Sequence, residues 1–451
     1  MVLTATPTNK TVLRVWHIAE FYPPTYGGGA AIYVRDVCRF LSERGHEIRV
    51  LCTEGTAQSP YTLRTEFDGA IRIDRLNLPY FKQQDPGGWQ LGMKGWRAHQ
   101  QRIAQLADDL LQDWTPDLVQ FHTPYPVDEE FLLALHERGL PMVGMSHCAW
   151  TICSRLNLLQ SPMATACEGP STLRCLECLY SYYDGSRGKA FVKLPWRLLK
   201  LGVFPAYRLH RQTKLRQAVL GQVSYSEFMA AAHEGHVGGP SKYISLGIDL
   251  TGLPAVTTSR PRTPLRLGFL AGFQAHKGIW DILDAAASLK QQGLRFELHI
   301  WGPQQEGKET ELAARDLTDC VFLHGKFDAP EKWDVYAKID LLVMATTVVE
   351  AFGRVVQEAA AAGVPTLAPA CGGITEQIRD GVDGLLYQFR DRTDLERLMT
   401  RVIENPALVN QLVTNLWKVV DTREAVSAIE DFYFKVLAQV QGQAQEVAGG
   451  T

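Results

Sequence analysis

The sequence is short of several features, and each shortage excludes a class. No run of about 18 apolar residues occurs in its 451 positions, so no transmembrane helix is expected. The opening MVLTATPTNK has neither the basic start nor the long apolar core of a secretory leader, which makes the cytoplasm the expected compartment. Neither charge sign dominates. With 46 basic and 49 acidic residues the formal charge is −3, which gives no global attraction for nucleic acid. Nine cysteines are too few for a disulfide scaffold of this length. One internal stretch, 185–226, has no acidic residue at all.

What is present suits a soluble enzyme. Hydrophobic residues make up 46% and charged residues 21%. The length is comfortable for two domains of about 200 residues each. Strand and helix signals alternate through both halves. VLRVWHIAEF, HEIRVLCT, PDLVQFH and PMVGMSH read as buried strands, and AAIYVRDVCRFLSERG, LADDLLQDW and EEFLLALHERG as helices between them. The second half repeats the rhythm with LRLGFLAG, RFELHIWG, CVFLHGKF, DLLVMAT and VPTLAPA as strands. Its helices are expected at GIWDILDAAASLKQQG, PEKWDVYAKI, GRVVQEAAAAG and GITEQIRDG. A βα alternation of this kind implies parallel, doubly wound sheets. The two halves join near PSKYISLGIDL and TGLPAVTTSRPRTP.

Chemistry concentrates in EAFGRVVQE, residues 350–358. The stretch leaves a strand and enters a helix, the place where a doubly wound sheet binds ligands. The first helical N–H groups lack partners and the helix dipole favours an anion there. Phe352, Gly353 and Arg354 can therefore offer main-chain donors to a phosphate, and Gly353 permits close approach. Glu350 precedes the helix, while Glu358 lies roughly 7 Å further along the axis. Acid, phosphate cradle and acid match the order sugar, diphosphate, ribose in a sugar nucleotide, because carboxylates accept well from hydroxyls. A solvated loop acid and a surface helix acid are the competing reading.

With these residues the chain resembles the glycosyltransferase family 4 enzymes, whose Glu-x7-Glu motif Glu350 and Glu358 match. The likeness runs over nearly the whole chain, through YPPTYGGGA, the GMSH strand, HKG, EAAAAGVP and GGITEQIRDGVDGLL. It implies a GT-B fold, two Rossmann-like α/β domains of doubly wound parallel sheet facing across a cleft. The expected domains are 1–245 for the acceptor and 246–425 for the nucleotide sugar. A C-terminal helix at 426–451 would pack back on the first domain and end in a frayed tail.

The resemblance also assigns roles. Glu350 would contact the transferred sugar and Glu358 the nucleotide ribose. Gly27, Gly28 and Gly29 would close over the donor phosphates or the acceptor. Lys277 would neutralise the diphosphate. His147, at the end of the PMVGMSH strand, would stand near the reacting sugar, with His122 at a neighbouring strand end. Many relatives carry an arginine just before this lysine, where the present chain has Gly272-Phe273-Gln274, and Arg354 is the candidate to replace it. The implied reaction is retaining transfer from a UDP-, GDP- or ADP-sugar to a glycan or lipid-linked acceptor in bacterial envelope or exopolysaccharide assembly. Enzymes of this fold generally need no divalent metal, and no Asp-x-Asp motif is present. An epimerase of sugar nucleotides and a non-catalytic sugar-nucleotide binder are the alternatives.

Two further features stand apart. Cys153, Cys167, Cys175 and Cys178 end in a C-x2-C pair, a spacing that suits a structural zinc ion, as in the similar insert of some family members. The acid-free stretch 185–226 carries nine basic residues interleaved with Leu, Trp and Phe. Docking on an anionic membrane surface is one expectation for it, and a solvated basic surface the other.

Overall fold

The computed structural model describes residues 11–24, 28–55, 61–78, 92–122, 129–153, 158–160, 165–167, 169–185, 206, 209–254 and 261–449. Two compact units emerge: Met1–Ser245 with Thr422–Thr451, and Leu246–Asp421.

The first unit is built on β1 (Arg14–Ile18), β2 (Glu47–Gly55), β3 (Leu63–Asp68), β4 (Ile71–Asn77), β5 (Leu118–Phe121), β6 (Met142–Ser146), a small hairpin of β7 (Leu159–Gln160) and β8 (Thr165–Ala166), β9 (Gly221–Ser224) and β10 (Ser241–Tyr243). Its helices are α1 (Gly29–Glu43), α2 (Gly92–Gln112), α3 (Glu129–Glu137), α4 (Thr172–Gly185) and α5 (Glu227–His233). The main sheet runs β10-β9-β6-β5-β1-β2-β4-β3, parallel except for β3 against β4. Strands β5 and β6 are buried along their whole length, as parallel strands covered on both faces must be. Val15, Ile18, Leu51, Val119 and Met142 are apolar for that reason, each worth about 1.5–3 kcal/mol on burial. His17 and Gln120 are the exceptions, fully buried polar side chains on the two central strands. The antiparallel β3–β4 pair interrupts the βα rhythm, and its sign in the sequence is Asp68-Gly69, with Gly69 at φ +61° in the turn.

The second unit contains β11 (Leu265–Leu270), β12 (Phe296–Trp301), β13 (Val321–Leu323), β14 (Leu341–Val343), β15 (Thr366–Pro369) and β16 (Gly384–Tyr387). Between and after them lie α6 (Ile279–Gln291), α7 (Glu309–Ala314), α8 (Lys332–Tyr336), α9 (Arg354–Ala361), α10 (Arg392–Glu404) and α11 (Ala407–Thr414). The order β13-β12-β11-β14-β15-β16 is the doubly wound pattern, and the chain reverses direction across the sheet between β11 and β14. Leu267, Leu283, Leu298, Leu341 and Leu367 are among the residues of its core.

Three sequence expectations change. GITEQIRDG does not form a helix: only a single 3-10 turn, Gly372–Ile374, appears there. Gly372 is held at φ +52°, and the Gln377 side chain turns back to the Phe352 carbonyl. The polar tail is not frayed throughout, because α12 (Thr422–Gly449) carries its Ala, Gln and Glu residues in helix. That helix begins at Thr422 and belongs to the first unit, so the second unit ends at Asp421 instead of at 425. On the first unit Arg44 and His46 both bond Glu430, and the Arg423 guanidinium lies 4.5 Å over the Phe40 ring. Gly221 leaves room for Phe432 and Val436, which stand 2.8 Å from where a Cβ would be.

Candidate functional site

At the reversal point of the second unit, two loops meet beyond the carboxyl ends of β11 and β14. The β11 loop makes a 3-10 turn, Ala275–Lys277, and passes into α6 through Gly278. Gly278 sits at φ +73°, and a Cβ there would lie 1.7 Å from the Ala345 carbonyl oxygen. Only glycine lets the two loops approach so closely. Thr347 N–H and Thr346 Oγ1 both donate to the His276 carbonyl, at 2.9 and 3.2 Å. The result delivers Lys277 to the β14 loop, where its Nζ lies 3.0 Å from Glu350 Oε1. Gly373 N–H donates to the Glu350 carbonyl at 3.0 Å, so the acid is held at its main chain as well.

The next residues form the cradle. Gly353 caps α9 at φ +88°, and no hydrogen bond engages the N–H of Phe352 or Gly353 among the described residues. Gln377 Nε2 fixes the Phe352 carbonyl from behind. One turn on, Glu358 is buried at 8% exposure, so it is not a surface helix acid. Its Oε2 accepts from Tyr336 Oη at 3.1 Å and its Oε1 from Arg354 Nε at 2.9 Å. Lys332 Nζ stands 3.9 Å from the same Oε1. Burial, then the Glu358 carboxylate, push the Tyr336 hydroxyl well above its ordinary range, which keeps it a proton donor. Arg354, expected at the diphosphate, donates its Nε to Glu358.

In the first unit the corresponding reversal lies between β1 and β5, and a string of imidazoles marks it. His17 Nδ1 is 2.9 Å from His122 Nε2, and His122 Nδ1 is 3.0 Å from His147 Nε2. Gln120 Nε2 also faces His122 Nε2, at 3.2 Å. Gln120 Nε2 is a donor, so the tautomer that fits has the His122 proton on Nδ1, directed at His147, and the His17 proton on Nδ1. The unpartnered end is then His17 Nε2 as a bare acceptor, a cheaper orphan than a buried N–H. His147 is thereby left with Nδ1–H as its donor nitrogen. Tyr33 and Tyr225 flank its ring at 6.0 and 5.2 Å between centroids. Of the three loop glycines, Gly27 lies outside the described residues. Gly28 is extended at φ −67° and caps α1, which starts at Gly29. The root of that loop is held by the fully buried Arg75, which donates to the carbonyls of Tyr22 and Pro23 at 3.0 and 2.9 Å.

These histidines set an acid limit on stability. Burial lowers His17 to about 3 and His233 to about 4, and drives His122 well below the ordinary value. A depressed folded-state value means stability that is full above about 6.5 and lost as pH falls towards the folded values. His17 alone is expected to cost about 2 kcal/mol between pH 7 and pH 5. Urea unfolding at the two pH values checks this: His17→Phe should show a smaller pH difference than the parent, whatever its stability at pH 7.

The cysteines give a mixed result. All nine are free thiols. Cys167 and Cys178 both act on the Cys175 thiol, which burial raises, whereas Cys153 acts on Cys148, raised by burial to about 12. Among the described residues no three His, Cys, Asp or Glu side chains gather closely enough to hold a metal ion, so the expected set of Cys153, Cys167, Cys175 and Cys178 is not assembled here. Of the basic stretch 185–226, residues 186–205, 207 and 208 lie outside the described residues. Within the remainder, Arg211 pairs with the buried Glu130, and Arg216 donates to Thr213 Oγ1 at 2.8 Å. No helix of the described residues is long and apolar enough to cross a membrane.

Sequence reasoning passed over Tyr336, Gln377, His17 and Glu20. The first two sit in positions that read as ordinary helix or loop. His17 breaks an apolar strand, and Glu20 follows that strand just before the glycine loop; both were visible signals.

Known proteins resemble this chain in sequence and in fold. The profile of Glycosyltransferase Family 4 matches residues 27–251, and that of Glycosyl transferases group 1 matches residues 257–418. The chain is 30% identical to 2-deoxystreptamine glucosyltransferase of Streptomyces kanamyceticus over 395 residues, covering 84% of this chain and 90% of that one. It is 31% identical to a D-inositol 3-phosphate glycosyltransferase of Arthrobacter over 177 residues, a match spanning 36% of this chain and only 41% of that relative. Among solved structures, sucrose-phosphate synthase of Thermosynechococcus elongatus superposes with a TM-score of 0.61 at 15% identity, covering 97% of this chain and all of that one. HepE of Anabaena in complex with UDP-glucose gives 0.56 at 16% identity, again over 97% of this chain and 100% of that one. The chain is a glycosyltransferase of the GT-B fold and belongs to glycosyltransferase family 4.

Proposed function

We propose that the enzyme takes its sugar from a nucleotide-diphosphate sugar and transfers it with retention. The observation that carries this reading is the pair of unbonded N–H groups at Phe352 and Gly353, set between the Lys277–Glu350 pair and the braced Glu358. Anion donors, a cation and two carboxylates thus follow one another over nine residues of chain and one neighbouring loop. HepE, solved in complex with UDP-glucose, supports a uridine nucleotide as the first to test.

In this reading the diphosphate lies on the N-terminus of α9 with Lys277 beside it, Glu358 receives the ribose hydroxyls, and Glu350 those of the sugar. The C1–O bond to the diphosphate breaks, and its electron pair leaves on the phosphate. The acceptor oxygen bonds C1 on the same face, and its proton passes to the departing phosphate oxygen. Catalysis is then positioning plus stabilisation of the leaving charge. In this reading His147 serves as a hydrogen-bond donor, its ring oriented by His122 Nδ1 at 3.0 Å from its Nε2. A glycan or lipid-linked acceptor of envelope assembly is the acceptor class, supported by the basic, apolar-interleaved composition of 185–226.

Thermal unfolding with UDP, GDP and ADP tests the donor. A nucleotide at a hundred times its dissociation constant should stabilise the protein by about 2.7 kcal/mol. The gain should shrink in Lys277→Ala. No shift with any of the three would contradict the reading.

A further inference from the structure

The reversal point of the first unit holds a carboxylate that the transfer chemistry leaves unused. Glu20 lies two residues beyond the end of β1, the strand flanked by β5 and β2. Its main chain is fixed: the Glu20 carbonyl accepts from Thr53 N–H at 3.1 Å and from Thr53 Oγ1 at 2.7 Å. The next link is fixed too, by Arg75 on the carbonyls of Tyr22 and Pro23. On the other side His122 N–H donates to the Ile18 carbonyl at 2.8 Å, which carries the β1–β5 pairing up to the same point. Cys148, next to His147 beyond β6, is within electrostatic reach. The Glu20 side chain is half-buried, and among the described residues no side chain or N–H bonds its carboxylate.

A carboxylate held out of water with no partner costs stability unless a ligand supplies the missing donors. Among the described residues no cation pairs with it. Cys148 keeps its proton, and the buried His17 and His122 are neutral. Accordingly burial alone raises the Glu20 carboxyl, to about 7. The neighbours that do offer hydrogen bonds spend them elsewhere: Thr53 on the Glu20 main-chain carbonyl, and Arg75 on the carbonyls of Tyr22 and Pro23 and on the Glu66 carboxylate. Ligands of doubly wound sheets enter beyond the carboxyl ends of the strands at this kind of reversal, and a strand-end carboxylate there suits paired hydroxyls.

We propose that Glu20 is an acceptor-recognition residue, whose carboxylate receives the hydrogen bonds of one or two hydroxyls of an acceptor sugar at the β1–β5 reversal point. The role rests on the transferase reading, since it supposes a sugar acceptor, but it is confined to the first unit. Hydroxyl donors favour the ionised carboxylate, so acceptor binding should lower the midpoint of Glu20 and should be stronger at pH 8 than at pH 6.

The test is carbon-13 NMR of the full chain labelled at glutamate side-chain carboxyls, with Glu20→Gln identifying the resonance by its loss. The Glu20 signal is expected to titrate near 7. Addition of glucose, galactose, mannose or N-acetylglucosamine, with UDP present, is expected to move that midpoint down by at least half a pH unit for one of the four. A midpoint in the ordinary carboxylate range, or one that none of the four sugars moves, overturns the proposal. UDP binding is followed in the same samples by thermal shift. Nucleotide binding without a sugar effect defeats the Glu20 role alone, and a sugar effect without binding of any nucleotide defeats the donor reading alone. Folding of the variant is checked by its own signature. A raised carboxyl destabilises the parent as pH climbs from about 4.5 to about 7, so Glu20→Gln should melt above the parent at pH 8 and with it at pH 4.5.

Discussion

Glu350→Ala is expected to lower turnover by about two to three orders of magnitude while leaving UDP affinity within about threefold of the parent. In the proposed reading the carboxylate serves the sugar; it pairs with Lys277 at 3.0 Å, so its removal leaves the lysine with its charge intact for the phosphate. The ribose side keeps Glu358 and its brace of Tyr336 and Arg354. Glu358→Ala should show the opposite split. It removes the proposed acceptor of the ribose hydroxyls and leaves the buried Tyr336 hydroxyl and the Arg354 guanidinium without this acid. UDP affinity should then fall by about tenfold to a hundredfold, the worth of one or two charge-assisted bonds. Steady-state kinetics with isothermal titration of UDP separate the two variants. Equal loss of turnover and affinity in both would remove the division of labour between the two acids.

Gly278→Ala should be the most damaging single methyl in the second unit, at about 3 kcal/mol or more of unfolding free energy. The added carbon would lie 1.7 Å from the Ala345 carbonyl oxygen, in a backbone conformation that alanine avoids. That contact cannot relax by rotating a side chain, because both partners are main chain. Moving the β11 loop away would also carry Lys277 from Glu350. Gly293→Ala is the matched control: its φ is +79°, but nothing lies within 4 Å of the new carbon. It should cost only about 1–2 kcal/mol, the left-handed backbone penalty alone. Urea unfolding of the two variants measures the difference. A Gly278→Ala protein as stable as Gly293→Ala would mean that the two loops are not locked together.

That Glu350, Gly353, Glu358 and Lys277 would gather at one place was legible because the pattern is local in sequence. Nine consecutive residues hold both acids and the glycine cap, and Lys277 sits beside a glycine after the first strand of the same unit. What could not be read was how Glu358 is braced. Tyr336 lies 22 residues upstream in a helix whose apolar spacing signals only core, and Arg354 looked free to serve the phosphate. The GITEQIRDG segment failed for a related reason. Its helix-like pattern is overridden by the left-handed Gly372 and by the Gln377 amide, which serves the Phe352 carbonyl 25 residues away. In the first unit the polar breaks at His17 and Gln120 were on view, but their joining to His122 and His147 needed the order of three strands. Glu20 was the missed signal, an acid where an apolar strand runs into a glycine turn.

A crystal structure with UDP-glucose bound is the most direct test of the central claim. The pyrophosphate oxygens are expected within hydrogen-bond distance of the Phe352 and Gly353 N–H groups, with Lys277 Nζ on the diphosphate, the ribose on Glu358 and the glucose on Glu350. A nucleotide seated away from the start of α9, with Glu350 and Glu358 making no contact to it, would contradict the account.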